Sequence, residues 1–458
     1  MGATKPVRQV SSAELHWHQL VLKEFITRQT QHLIQNTEQS TARSHRAPAG
    51  HISSDRRHRA GDCLNDQTTP THFPPAHRLA SDLPVAQSYP AMRSAANPRT
   101  RPTCRKTLKG HKLVILSQWV PSSEYIQRLH SEFPDLKVVY HQLGFPEKKP
   151  GTGFDPAEWK DATVLLTGSA LPDPDEAPKL RYVQLQSAGA NHILKDPLFA
   201  DTDVAFATAN GVHGPQISEW IITTFLSFQH QLPKYIDNFR AGKWGRDNDF
   251  VEDAVGRTVG ILGYGSIGRQ TARVATALGF KVHAYTLHPR PTPDSKRDNG
   301  YTPPGLGDPE GKFPAKWFSG ASKADLHAFL GSGLDLLVVA TPLTDKTSHL
   351  LAREEFEILS EKKTFVSNIA RGPILNTDDL IEALDKGLIR GAALDVTDPE
   401  PLPEGHPLWK AKNLLITPHI SGLSTSYADR VFAILEQNLK RLSEGKRLVN
   451  VVNKREGY

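Results

Sequence analysis

Three side chains of complementary chemistry stand at the ends of successive apolar runs: Arg371 in Asn368-Ile-Ala-Arg-Gly-Pro373, Glu400 in Asp395-Val-Thr-Asp-Pro-Glu-Pro-Leu402, and His419 in Thr417-Pro-His-Ile-Ser-Gly422. A guanidinium fork suits a pair of oxygens, and an imidazole titrates near neutral pH. A carboxylate beside that ring raises the pKa of its protonated form. Such a set can manage a hydride moving to or from the carbon beside a carboxylate, with the ring exchanging the proton on oxygen. Singly, the three read as a strand-end ion pair, a solvated loop charge and a satisfied core histidine. Their recurrence at consecutive strand ends, where open α/β sheets gather ligand groups, favours one shared site.

A hydride needs a carrier, and Thr258-Val-Gly-Ile-Leu-Gly-Tyr-Gly-Ser-Ile-Gly268 offers a place for one. Gly263, Gly265 and Gly268 follow a predicted strand and open a predicted helix that includes Ser266 and Ile267 and runs to about Leu278. One glycine makes the turn, the next admits a pyrophosphate, the third lets helix pack on strand, and the helix N-terminus faces the anion. The second strand of such a unit normally ends in a carboxylate for the ribose, whereas Val282-His-Ala-Tyr-Thr286 ends in Thr286. A 2′-phosphate is then not repelled, and His288 and Arg290 could hold it. This predicts NADP as the preferred cofactor, with NAD possible; the plainer reading of Arg290 is a solvated charge opening a Pro-rich stretch.

These motifs, with Val338-Val-Ala-Thr-Pro-Leu343 and Thr347, stand in the order and spacing of one family. Over about residues 112–453 the chain resembles the D-isomer-specific 2-hydroxyacid dehydrogenases, which include glyoxylate/hydroxypyruvate reductases. The resemblance implies that Arg371 holds the carboxylate and carbonyl of a small 2-oxo acid, that His419 exchanges the hydroxyl proton, and that Glu400 orients His419. It adds Thr341, Pro342, Thr347, Ile369, Asp395 and Gly422 to the cofactor site. It also gives Ser187, Ala188 and Gly189, in Leu185-Gln-Ser-Ala-Gly189, a role at the substrate carboxylate; a plain turn is the alternative there. A homodimer and hinge closure over a cleft are further implications. A corepressor that senses dinucleotide on the same fold is the alternative from another functional class. Formate dehydrogenase is disfavoured by Pro418 preceding the histidine.

The elements that must position these groups read as α/β. Short apolar runs, among them Leu113–Leu116, Thr163–Leu166, Tyr182–Leu185, Val204–Ala207, Leu334–Ala340, Thr364–Ser367, Ala392–Val396 and Leu414–Thr417, alternate with helical stretches. Most are near-continuous, as a parallel sheet covered on both faces requires. We expect two lobes: a Rossmann-type doubly wound sheet, residues 233–421, inserted in a smaller flavodoxin-like substrate domain of residues 112–232 and 422–458. Long helices near Pro215–Gln231 and Ser424–Arg441 bracket the inserted part. Pro289–Ser319, with seven Pro and four Gly, is predicted to be a surface insertion. No further regulatory domain is expected after about Asn453.

The formal charge of +6 dissolves on partition. Residues 1–110 carry 16 Lys/Arg against 7 Asp/Glu, while the rest carries 39 against 42. No polyanionic partner is therefore expected for the body, neither nucleic acid nor membrane. Residues 1–111 are predicted to be a disordered basic extension, apart from a short amphipathic helix within Ser11–Gln35. Two Cys in 458 residues, with no metal-ligand spacing, predict no metal. The cytoplasm is the expected compartment, with mitochondrial import through the basic stretch Met92–Lys109 as the alternative.

Overall fold

The computed structural model describes residues 107–143, 154–246 and 250–454. The expected extension up to residue 106, with its short helix, lies outside the described residues. What is described builds two parallel sheets. The first contains β1 (Lys112–Ser117), β2 (Lys137–Gln142), β3 (Val164–Thr167), β4 (Tyr182–Leu185) and β5 (Ala205–Ala207), in the order β2-β1-β3-β4-β5. The second contains β6 (Thr258–Leu262), β7 (Lys281–Thr286), β8 (Pro314–Ser319), β9 (Leu336–Val339), β10 (Phe365–Asn368), β11 (Gly391–Leu394) and β12 (Leu414–Ile416), in the order β12-β11-β10-β9-β6-β7-β8. The first order is flavodoxin-like, and the second is the doubly wound dinucleotide order with its switch point between β6 and β9.

Continuous apolar strands are explained by their two covered faces. In the first sheet Leu113, Ile115, Val164 and Leu166 pack on one side against α1 (Ser123–Glu132) and α8 (Tyr427–Ser443), while Val114, Leu116 and Leu165 pack on the other. In the second, Val259, Ile261 and Val338 meet α2 (Gly214–Gln229) and α4 (Ser266–Ala277). Leu262, Leu337, Val339 and Val366 meet α5 (Lys323–Leu330), α6 (Arg353–Leu359) and α7 (Thr377–Asp385). Helix α2 falls within the 112–232 segment expected to form the substrate domain, yet Ile217, Ile221 and Phe225 pack on the second sheet. Helix α8 returns the chain to the first sheet through Val431, Ile434, Leu435 and Leu439.

Two strands depart from the sequence reading, and both are edges. In β2, Lys137, His141 and Gln142 dilute the apolar run because the strand is only half covered. In β8, Pro314 and Lys316 disguise a strand that pairs in parallel with β7; at an edge, a proline costs no required hydrogen bond. The stretch predicted as a surface insertion is therefore partly sheet. It also buries Tyr301 and Asp308.

Candidate active site

The loops that follow β10, β11 and β12 converge. His419 Nδ1 meets Glu400 Oε1 at 2.8 Å, and Glu400 Oε2 accepts the Thr397 N–H at 3.3 Å. Anchoring Nδ1 on the carboxylate leaves Nε2 to exchange a proton. The Glu400 hydrogen bond and charge, aided by the charge of Asp395, hold the His419 imidazolium above its ordinary pKa, against burial and the Arg371 charge. Burial pushes the Glu400 carboxyl up, but the His419 hydrogen bond and charge, the Thr397 N–H and Arg371 outweigh it and hold it below the usual range. His419 sits at φ 54, a left-handed conformation costly for a non-glycine residue and characteristic of functional positions.

Asp395 enforces that turn. Its Oδ1 accepts the Thr417 hydroxyl at 2.5 Å and the Ile420 N–H at 2.9 Å, its Oδ2 accepts the Ser421 N–H at 2.9 Å and the Ser421 hydroxyl, and its backbone oxygen accepts the His419 N–H. The carboxylate expected at the cofactor is thus committed to the turn that carries His419.

Arg371 is exposed, with Nη1 donating to the Ala370 carbonyl at 2.6 Å. Its backbone is pinned: the Asn368 side chain donates to Arg371 O, and a Cβ on Gly372 would fall 1.9 Å from Thr397 O. Nη2 lies 3.6 Å from where a Cβ would stand on Gly189, so the loop after β4 on the first sheet faces the guanidinium. In that loop, Ser187 Oγ donates to Gly189 O at 2.7 Å, and Ser187, Ala188 and Gly189 are all half-buried.

His213, close enough to feel the charges of His419 and Arg371, is a residue that the sequence reading missed. It caps the start of α2, its ring is 4.9 Å from that of Tyr427, and a Cβ on Gly422 would approach its Cδ2 at 3.1 Å. Burial, then the charges of Arg430, His419 and Arg371, push its pKa down to about 4, so it stays neutral. Nothing in its immediate sequence, Asn210-Gly-Val-His213, marks it as a group of the site.

The glycine turn lies at the switch point. Gly263 has φ +103, and its Cβ would come 2.6 Å from Ala340 O; on Gly268 a Cβ would meet Gly263 O at 2.6 Å; on Gly265 it would meet nothing within 4 Å. Gly263 is required by the turn and Gly268 by packing, while Gly265 borders open space at the N-terminus of α4. That is where a pyrophosphate fits. Thr341 and Pro342 follow β9 beside Gly263, Thr347 Oγ1 donates to Pro342 O at 2.8 Å, and Ile369 is buried just after β10. At the end of β7, Thr286 Oγ1 donates to His288 O at 2.8 Å; His288 is exposed. Arg290 Nη1 donates to Ser295 O at 2.6 Å, while its Nε is buried without a partner.

Among the described residues, His327, Glu354 and Glu355 bring potential metal-ligand atoms within 4.8 Å of one another, but Lys323 already pairs with both carboxylates. No helix among the described residues is long and apolar enough to cross a membrane.

A doubly wound sheet with an open glycine at its switch point, and with a His–Glu pair and an arginine in the loops after later strands of the same sheet, defines a dinucleotide-dependent oxidoreductase. The comparisons narrow the class. The family described as D-isomer specific 2-hydroxyacid dehydrogenase, NAD binding domain, matches residues 222–306 and 310–421. The chain is 30% identical over 263 residues to the glyoxylate reductase/hydroxypyruvate reductase of Homo sapiens, covering 57% of this chain and 72% of that protein. A D-isomer specific 2-hydroxyacid dehydrogenase from Xanthobacter autotrophicus Py2, solved with NADPH and MES, superposes with a TM-score of 0.58 at 26% identity, covering 76% of this chain and 99% of that one. An NADPH-dependent glyoxylate/hydroxypyruvate reductase from Sinorhizobium meliloti, solved with NADP and sulfate, gives 0.55 at 25% identity, covering 76% and 100%. The chain belongs to the D-isomer-specific 2-hydroxyacid dehydrogenase family. It is an NAD(P)-dependent oxidoreductase.

Proposed function

We propose that the protein reduces a small 2-oxo acid such as glyoxylate or hydroxypyruvate to the corresponding 2-hydroxy acid, of D configuration where the product is chiral, with NADPH preferred. The observation that carries this is the His419–Glu400 pair at 2.8 Å beside an exposed Arg371 that faces Gly189. In this reading the Arg371 fork and the Ser187–Gly189 backbone hold the substrate carboxylate, and Arg371 also polarises the carbonyl. His419, as imidazolium, gives its Nε2 proton to the carbonyl oxygen. Glu400 offsets the charge and fixes the ring. The nicotinamide, when bound, supplies the hydride. Gly263, Gly265, Ser266, Ile267 and Gly268 would hold the pyrophosphate, with Thr341, Pro342, Thr347, Ile369 and Gly422 toward the nicotinamide end. Asp395 belongs to this end through the 417–421 turn. The test is oxidation of NADPH and NADH against glyoxylate, hydroxypyruvate, pyruvate and branched or aromatic 2-oxo acids. No turnover with any of them would move weight to the corepressor reading.

The NADPH preference is supported by the missing carboxylate at Thr286, at the strand end where a 2′-phosphate would lie, and by the exposed His288 just beyond it. Thr286→Asp should lower kcat/KM for NADPH and favour NADH, because a fixed carboxylate repels the phosphate and accepts the ribose hydroxyl. An unchanged ratio of the two cofactors in steady-state kinetics rejects the assignment.

We also infer a homodimer. In α3 (Leu232–Arg240) Leu232, Ile236 and Phe239 are exposed, and Trp244 and Phe250 beyond it are 100% and 96% exposed. Five exposed large apolar side chains so close in sequence are characteristic of an interface. Phe239→Asp with Trp244→Asp should yield monomers in sedimentation velocity; a wild-type sedimentation coefficient rejects the interface.

A further inference from the structure

The segment 297–313, within the stretch that reads as an insertion, grips the glycine turn. Tyr264, the residue between the first two glycines, donates its phenol to Asp308 Oδ2 at 2.7 Å. Asp308 is 3% exposed, and its carboxylate also accepts the N–H groups of Lys312 and Phe313. Arg269, next after the third glycine, lies 5.1 Å from the Tyr264 ring, donates to Asp308 O at 2.5 Å and approaches Asp298 at 3.7 Å. Adjacent to it on α4, Gln270 accepts the Gly307 N–H at 2.7 Å. These contacts fix both ends of the turn and the first turn of its helix.

The same segment reaches the other lobe. Tyr301 is buried in the core of the first sheet, with Ala209 and Val212. Its N–H donates to Asn450 Oδ1 at 3.3 Å, and its carbonyl lies so close to Gly211 that a Cβ there would come to 2.1 Å. Asn450 in turn donates to Asn210 O at 2.8 Å, and Asn210 Oδ1 accepts the Ser266 hydroxyl at 2.8 Å. Gly265 is therefore bracketed by two tethers, Tyr264 to Asp308 and Ser266 to Asn210, which are joined through Tyr301 and Asn450. The circuit passes through both lobes.

We propose that residues 297–313 form a strap that positions the glycine turn for the dinucleotide and ties that turn to the substrate lobe, so that cofactor binding steadies both. The proposal rests on the reading that the turn takes NAD(P)H. A decorative loop has no reason to bury an aspartate against the phenol of the turn, because burying a charge is costly unless it is fully hydrogen-bonded. Nor has it reason to place a tyrosine in the core of the opposite lobe. Tyr264, Arg269 and Asp308 are positioning residues on this account, acting on the backbone N–H groups that receive the pyrophosphate.

Hydrogen–deuterium exchange with NADPH as the probe, together with its dissociation constant from fluorescence, tests the strap. In the wild type, NADPH should slow exchange at 263–270 and also at 207–213 and 448–452. Tyr301→Ala should keep the first protection and lose the second. Tyr264→Phe retains the ring packing and removes one O–H; it should weaken NADPH binding roughly fivefold, the scale of one net hydrogen bond. Remote protection persisting in Tyr301→Ala, or wild-type affinity in Tyr264→Phe, overturns the strap even if both variants melt earlier. Should Tyr301→Ala fail to fold, the Tyr264→Phe affinity still decides. Absence of any protection at 263–270 in the wild type sinks the cofactor reading itself, and the strap with it.

Discussion

His419→Ala is expected to lower kcat by about 10²- to 10⁴-fold, the usual contribution of a positioned general acid, while leaving the NADPH dissociation constant within about twofold. The side chain is half exposed, at 51%, so its removal opens little of the core. The turn that carries it is held by Asp395 rather than by the ring. Near-normal turnover would end the mechanism. The pH profile then tests the Glu400 partnership. Reduction requires the imidazolium, so the rate is full below the His419 pKa and falls as pH rises through it. Glu400 holds that pKa above the ordinary histidine value, so Glu400→Gln should move the alkaline limb of kcat toward lower pH. The oxidation direction requires the neutral ring, and its acid limb should move the same way. The groups facing His419 are Glu400, Asp395, Arg371 and His213; His213, at about 4, is already neutral across this range and contributes no limb of its own. A limb unmoved by Glu400→Gln would reduce that carboxylate to a bystander.

Much of the site was legible because its chemistry is local in sequence. The glycine turn needs only the run Thr258–Gly268 to declare its strand, its close approaches and its helix. Arg371, Glu400 and His419 were legible as successive strand-end groups, since a parallel sheet puts all its C-terminal ends on one edge. What stayed hidden depends on contacts distant in sequence. Nothing local marks His213 as neutral; that follows from burial and from Arg430 and His419 beside it. Edge strands β2 and β8 lack the two covered faces that make a strand's sequence apolar, so they read as loops. The strap was hidden most thoroughly. Its Pro and Gly content signals irregular backbone correctly, but irregular backbone is not the same as a surface location, and only Asp308 and Tyr301 reveal where it goes. The two sheets are therefore linked through Asp308, Tyr301 and Asn450, which stand outside the glycine motif, as well as through Tyr264 and Ser266 within it.

Arg371→Leu should lower kcat/KM for the 2-oxo acid by about 10²- to 10³-fold. Removing one partner of a close charge pair costs about 2–5 kcal/mol, and each 1.4 kcal/mol is about tenfold. The loss should appear in both KM and kcat, because in the proposed reading the fork holds the carboxylate in the ground state and the carbonyl oxygen as charge develops on it. Arg371→Lys separates charge from geometry. An ammonium keeps the charge but cannot present two parallel N–H groups, so it should recover no more than part of the loss. The fold should survive both changes, since the side chain is exposed and the backbone at 371–372 is fixed by Asn368 and by the close approach of Gly372 to Thr397. An unchanged melting temperature and an unchanged NADPH dissociation constant would verify that. If the lysine variant instead matched the wild type, only charge would matter at this position, and the carboxylate would be gripped mainly by the backbone N–H groups of Ser187–Gly189. Glyoxylate then offers the cleanest discrimination, because with no side chain of its own only its carboxylate and carbonyl can orient it; it should suffer the larger loss in Arg371→Lys when the fork is what orients it.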